Sequence, residues 1–462
     1  MTRYSDAIHD SKPSATSCSN WMYTVRQPSE ITAPVDYLSG DVNYIWSAFR
    51  AMLEAKYMDS RGKKWELMAW GFTSVCPWPS DHFIFKTVPA LCQEAAMVLA
   101  NGGSIIIYDM PNPWGPVVDW HMDDLAEVAR FCRARQADCQ DAVLVPQAAI
   151  YHNPDHYYKV NSPLYNFGDS VNPLEGALHA VHQNGYAVNL LSKGDLLRRV
   201  REFPLWVLPE QSVVTEDVRQ ALLAYVEEGG SLLLSGDSCR FFQQELGVEI
   251  TDEVPVSRGE VDSPLQINQA KYLSVEVGNR TQHLGPQFMG VRNVSADTEF
   301  PLLASRDAGP HRILTGYAAA TVKSYGKGRI SGIYGPFFEE YFRSHDKMLR
   351  QFLDSVIEQL QPVGLAKVTA SPNVSFSLRK KNGLLQAHLV NLSCDPITTP
   401  ESPCVEEVPA IGPVELAIPM DAEPKALWLQ PGGNPVDWRY ADGLLRVHLP
   451  QIGIYDIVVI QP

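Results

Sequence analysis

Residues 203–236 read FPLWVLPEQSVVTEDVRQALLAYVEEGGSLLLSG, and their reading decides the fold class. Leu205–Leu208 is a short apolar run, as expected of a strand buried on both faces. A helical pattern follows from about Glu216 to Glu228. Gly229-Gly230 ends it, because glycine takes the left-handed backbone of a helix C-cap without steric cost. Ser231–Ser235 is then a second buried strand. Strand, helix and strand within about 30 residues form one unit of a parallel sheet.

The same alternation extends to both sides. Ala148–Tyr151, Ala187–Leu190 and Arg329–Tyr334 read as further strands. Leu174–Asn184 reads as a helix stopped by Gly185, and Phe337–Leu360 as one long amphipathic helix. Residues 250–325 are rich in turns and mixed strands. Residues 141–362 are therefore expected to form a doubly wound, flavodoxin-like domain with an insertion.

Residues 1–140 also alternate. Strands are expected at Trp21–Val25, Val35–Leu38, Leu67–Phe72 and Ser104–Tyr108. Helices are expected at Tyr44–Tyr57, at Val88–Leu99 (stopped by Asn101-Gly102-Gly103) and at Asp123–Arg135. This is the pattern of a parallel α/β sheet or barrel. Residues 363–462 switch to period-two strands at Val374–Arg379, Leu385–Val390, Val414–Ile418, Lys425–Leu429, Leu444–Leu449 and Tyr455–Ile460. Asn382-Gly383 and Asp442-Gly443 mark hairpin turns, and a β-sandwich is expected.

The 462 residues suit about three domains. A net charge of −15 argues against nucleic acid or an anionic membrane as partner, and leaves a neutral ligand such as a sugar open. No apolar run reaches the ~18 residues of a membrane helix. Met1–Ser19 is polar and lacks the apolar core of a secretory signal. Eight cysteines without a C-x-x-C pair read as reduced thiols of a cytoplasmic protein.

Several stretches resemble bacterial multidomain glycoside hydrolases in which a (β/α)8 barrel precedes a β-galactosidase-type trimerisation domain. PVDYL at 34–38 looks like a barrel strand, LCQEAAMVLANGG at 91–103 like the penultimate barrel helix and its turn, and SIIIYDMP at 104–111 like the last barrel strand. Residues 203–236 look like the amidotransferase-like trimerisation domain of that group. Val390-Asn391-Leu392-Ser393 and Leu444–Ile460 look like its small C-terminal β-domain. The resemblance implies the C-terminal half of a barrel over 1–140, a trimerisation domain over 141–362 and a β-sandwich over 363–462. It implies an oligosaccharide or glycoside substrate, a homo-oligomer (plausibly a trimer) and no organic cofactor. A barrel takes about 250 residues. Only four strands are read here, matching the fifth to eighth, so a second chain completing the barrel, or a non-catalytic carbohydrate-binding or assembly role, is the alternative.

Glycoside hydrolysis uses two carboxyl groups flanking one sugar bond. Barrel sites lie at the carboxyl ends of the strands. Asp109 ends the SIIIYD strand, Asp41 follows the VDYL strand, and Asp36 lies within it. Each has a plainer reading: Asp109 as a turn residue, Asp41 as the cap of the next helix, Asp36 as a strand-end acceptor. Leu67–Phe72 carries no carboxylate, so the usual pair is not assignable. Seven of the ten tryptophans fall in residues 1–140. Indoles stack on the apolar faces of pyranose rings, and equally well fill cores. Trp70, Trp78, Trp114 and Trp120, with His121, are the candidate sugar contacts. His152/His156 and His179/His182 are spaced like metal ligands but read more simply as ordinary histidines, and no metal site is expected. Cys239 lacks the Gly-x-Cys-x-Gly elbow of an amidotransferase nucleophile.

Overall fold

The computed structural model describes residues 2–20, 24–42, 48–74, 83–109, 114–161, 171–251, 272–285, 287–305, 312–394 and 405–462. They form two compact units. The first comprises residues 1–147, 185–190 and 366–462; the second comprises 148–184 and 191–365.

The first unit holds a parallel sheet in the order β1 (Tyr37–Asp41), β2 (Lys64–Trp70), β5 (Ser104–Tyr108). Before β1 lies α1 (Thr2–Ser11); α2 (Ala48–Met58), α3 (Val88–Ala100) and α4 (Asp119–Cys139) follow the strands. A small hairpin, β3 (Phe72–Ser74) with β4 (Phe83–Phe85), leaves the carboxyl end of β2. The strand expected at Trp21–Val25 is not formed at Thr24 and Val25. Residues 21–23 lie outside the described set, and Thr24–Arg26 is a 3-10 turn held by the Val25 N–H donating to the buried Glu54 carboxylate at 2.9 Å. One parallel bridge, Asn20 to Ser39, stands on the outer side of β1.

Ile105 and Ile107 of β5 pack with Leu91, Cys92, Ala95 and Val128 from α3 and α4. Strand alternation therefore turns Ile106 and Tyr108 to the opposite face, where both are exposed. In register with them stand Met68 and Trp70 of β2, and Asp41 of β1 stands beside Met68. That second face is the one a complete barrel would turn inward.

The C-terminal residues form two antiparallel sheets around a core that includes Phe376, Leu389, Leu416, Val447 and Val458. Asn382 and Gly383 have φ of 49° and 80°, and Asp442 and Gly443 of 54° and 76°, the left-handed values a two-residue hairpin turn demands. The helices of the parallel sheet lie against this sandwich. Gln93 donates to the carbonyls of Asn391 and Ser393 at 2.8 and 2.9 Å, and Lys56 donates to Ser377 Oγ at 2.7 Å. Arg379 grips Asp59 through two bonds of 2.9 and 3.0 Å.

The second unit is built on a mixed sheet. Ala148–Tyr151, Leu205–Leu208, Ser231–Ser235 and Gly328–Ile333 run parallel and adjacent in that order. Ile313–Tyr325, Thr298–Ser305, Tyr272–Val277 and Arg280–Leu284 extend the sheet antiparallel beyond Gly328–Ile333. Leu205–Leu208 and Ser231–Ser235 are buried at every position, as their unbroken apolar runs require. The single helix expected over 337–360 is two, Phe337–Ser344 and Lys347–Leu360. His345 takes a left-handed backbone (φ 46°), and the Asp346 side chain caps the second helix by accepting from the Met348 and Leu349 N–H groups. Among the described residues no helix is long and apolar enough to cross a membrane.

Candidate functional site

The carboxyl ends of β1, β2 and β5 gather most of the predicted residues. Asp41 is the last residue of β1. Its carboxylate accepts from Asn20 Nδ2 at 3.1 Å. Burial raises its pKa above the ordinary carboxylate value; the Asn20 amide, then the neighbouring Trp70 indole, offset part of that rise. Trp70, the last residue of β2, meets Phe72 at 5.3 Å and Tyr108 edge-on at 5.4 Å between ring centroids. Phe72 and Tyr108 are 5.5 Å apart, closing a three-ring cluster.

Asp109 follows β5 directly. Its Oδ1 pairs with Nδ1 of His121 at 3.0 Å, and its Oδ2 has no hydrogen-bond partner among the described residues. His121 sits in the first turn of α4 and is 0% exposed. Its ring lies 4.0 Å from that of Phe85, and Phe85 meets Trp120 edge-on at 5.1 Å and 89°. Gly71 makes this possible: a Cβ there would lie 3.1 Å from His121 Cε1 and 3.3 Å from the Tyr108 carbonyl oxygen.

The register keeps Asp41 and Asp109 apart. Asp41, Met68 and Ile106 form one row across three strands, and Asp109 lies three residues beyond Ile106. Two strand spacings and three residues of rise put their Cα atoms about 14 Å apart. Alternation and the bond to His121 turn Asp109 to the helix-covered side, whereas Asp41 stands in the row of Met68 and Ile106. A carboxyl pair cleaving one glycosidic bond must face that bond from the same mouth, which opposite faces of the sheet do not allow. Asp36 stands farther off. It precedes β1 at the amino end, where it accepts from the Ser17 N–H at 2.6 Å and pairs with His9 at 2.9 Å. The Ser17 N–H, then His9, lowers its pKa.

Trp114 is 91% and Trp120 56% exposed. Trp78 lies outside the described residues. Asn20, Phe72, Phe85 and Tyr108 were not singled out from the sequence. For Tyr108 and Asp109 the signal was present: adjacent strand residues face opposite sides, so one of the pair had to leave the row of Ile106.

The second unit has its own carboxyl edge. Gly236 forms a sharp strand-to-helix elbow after Ser231–Ser235, with φ of 57°. This is the conformation an elbow nucleophile adopts, and the residue has no side chain. Beside it Glu210 accepts from Ser235 Oγ and from the Phe338 N–H, both at 2.8 Å. Burial pushes Glu210 up to about 7. Cys239 is buried three residues past the elbow, its thiol 3.6 Å from the Ile333 carbonyl, and burial pushes its pKa up. Among the described residues no cluster of three or more His, Cys, Asp or Glu side chains could hold a metal ion.

The architecture is the fold of bacterial β-galactosidase-like multidomain glycoside hydrolases. The chain is similar to the α-L-fucosidase isoenzyme 2 from Paenibacillus thiaminolyticus, with a TM-score of 0.69 and 16% identity, over 89% of this chain and 63% of that one. It is also similar to a GH42 β-galactosidase from G. stearothermophilus, solved as a catalytic mutant, with a TM-score of 0.64 and 14% identity, over 98% of this chain and 65% of that one. The β-galactosidase from Bacillus circulans sp. alkalophilus gives a TM-score of 0.61 at 12% identity, over 99% and 65%. The chain thus spans less than two thirds of the length of these structures. No protein-family model and no curated protein matches the sequence.

Proposed function

We propose that the chain is a glycoside-hydrolase-type protein that takes a glycoside or oligosaccharide at the carboxyl ends of β1, β2 and β5. The observation that carries this reading is Asp41: a buried carboxyl at the end of a barrel-type strand, bonded to the Asn20 amide and raised in pKa by burial. A carboxyl so raised holds a proton closer to neutrality, as general-acid protonation of a leaving oxygen needs. Trp70, half-buried beside it, supplies an apolar ring face and Tyr108 a phenol. The test is hydrolysis of a panel of aryl glycosides by the wild-type chain and Asp41→Asn. Turnover that disappears in the variant, with an unchanged melting temperature, supports Asp41. Equal rates in the two remove it.

A second reading is favoured by the opposite faces that Asp41 and Asp109 take. With one of them on the inward face, a second carboxyl must come from elsewhere for hydrolysis, and without it the site binds sugar and does not cleave it. Among the described residues, the outer edge of β5 has no strand beside it, and Ile106 and Tyr108 are each 40% exposed. That edge suits further parallel strands completing the barrel, including those of a second chain. The second unit, with glycine at its elbow and its thiol buried, suits a structural role in a homo-oligomer, plausibly a trimer. Light scattering on the aryl-glycoside preparation reads the mass directly.

A further inference from the structure

Asp109 and His121 were expected to touch the reacting sugar, and their surroundings give them other work. His121 is fully buried, so no ligand reaches its ring. Asp109 fixes the ring through Nδ1, and the ring lies against Phe85. Phe85 meets Trp120 edge-on, also standing in register with Phe72 across the β3–β4 hairpin. Phe72 in turn meets Trp70 and Tyr108. Aromatic residues therefore run from the carboxyl end of β2 through the hairpin to the start of α4. Trp70 stands at one end of this row beside Asp41. Trp120, half open to solvent, stands at the other.

An indole held edge-on by one ring and flanked by a second has lost much of its rotamer freedom before any ligand arrives. It is an odd choice for a solvated helix N-terminus, where a polar residue would serve. Building the Asp109–His121–Phe85 support under an exposed tryptophan makes physical sense if the open indole face is used. A planar apolar face beside a barrel mouth suits the C–H face of a pyranose ring.

We propose that Trp120 is a second sugar-stacking platform, that Asp109 and His121 are its positioning residues, and that the site therefore takes an oligosaccharide chain in preference to a single sugar. This rests on the sugar-binding reading above. The experiment is calorimetric titration of the whole chain with β-1,4-linked galacto-oligosaccharides of one to five units. In the wild type, affinity should climb with length, by about tenfold from one unit to three. Trp120→Ala should flatten the series, with about a tenfold loss for the trisaccharide and little change for the monosaccharide. His121→Ala should flatten it in the same way, and Asp109→Asn, which keeps an oxygen facing Nδ1, should retain most of the slope. A variant that merely unfolds the region would lose all lengths together, so the length dependence separates positioning from folding. Trp120→Phe should restore part of the slope. Sugar binding independent of length, or a Trp120→Ala series parallel to wild type, overturns the platform while leaving the sugar-binding reading intact. A fall in mass for Trp120→Ala, with the sugar series unchanged, overturns it in favour of a protein contact. No binding of any length overturns both.

Discussion

The molecule contains two parallel sheets whose carboxyl ends have been treated in opposite ways. At the ends of β1, β2 and β5, aromatic side chains stay partly open, and Asp41 stands among them. At the ends of Leu205–Leu208 and Ser231–Ser235, the space is closed. Gly236 occupies the elbow, where a Cβ would come within 2.7 Å of the Glu210 side chain, and Glu210, Ser235 and Cys239 fill the edge with bonds to one another's surroundings. A parallel sheet places its carboxyl edge where a site can form, and the side chains decide whether one does. On the proposed reading, the open edge of the first unit takes the sugar and the closed edge of the second serves as scaffold.

The largest effect expected from this comparison is on turnover. Asp41→Asn should lower any glycosidase rate by about 100-fold or more, the usual contribution of a positioned acid. Glu210→Gln, at the closed edge, should leave the rate where it was. A loss of rate in Glu210→Gln with the melting temperature held would break the comparison.

The next effect is on stability against pH, and the two units should respond with opposite slopes in different ranges. Burial lowers the pKa of Lys56 to about 7 from an ordinary 10.5. Between those values the unfolded chain binds more protons than the folded one, so the first unit gains stability as pH rises, by roughly 5 kcal/mol over the whole window. Lys56→Met should flatten that rise in urea midpoints taken from pH 7 to 10. Glu210 is raised to about 7 from 4.5. Its contribution is complete below pH 4.5 and is lost as pH climbs through 7, on the order of 3 kcal/mol. Glu210→Gln keeps an acceptor for Ser235 and Phe338, and should hold the second unit's midpoint level between pH 5 and 8. Slopes unchanged in both variants would mean that neither buried group carries the linkage.

The strands of the second unit's sheet were legible because burial on both faces leaves an unbroken apolar run, and Ser104–Tyr108 because three successive isoleucines favour a strand even with one face exposed. Leu205–Leu208, Ser231–Ser235 and Ser104–Tyr108 were read with their observed bounds. The helix break at His345 was hidden, because Leu349, Phe352 and Val356 continue the buried stripe of Phe337, Phe338 and Tyr341. Only the Asp346 cap marks it. The site was half legible. Position at a strand end brought Asp41, Trp70 and Asp109 to notice, but not which face each takes. Asn20 was invisible because only a single bridge to Ser39 brings it beside β1, and Phe85 because its role depends on a hairpin folding back onto α4.

The smallest expected effect separates the two ends of one strand. Asp36 and Asp41 flank β1, and both were candidate carboxylates. Asp36 is held as an anion by the Ser17 N–H and His9 at the amino end, away from the aromatic cluster. Because those bonds lower its pKa, its contribution to stability is present at neutral pH and fades only as pH falls through the folded-state value. Asp36→Asn should therefore leave turnover and sugar affinity at wild-type values. It should lower the urea midpoint slightly at pH 7, and that difference should shrink in strong acid. Since Asp36 is solvent-accessible, the loss should also shrink in high salt, where exposed charges are screened. A rate loss in Asp36→Asn comparable to that in Asp41→Asn would place chemistry at the amino end of the strand. A barrel-type sheet carries its site at the carboxyl ends of its strands, and the exposed Trp114 and Trp120 lie beyond the carboxyl end of β5.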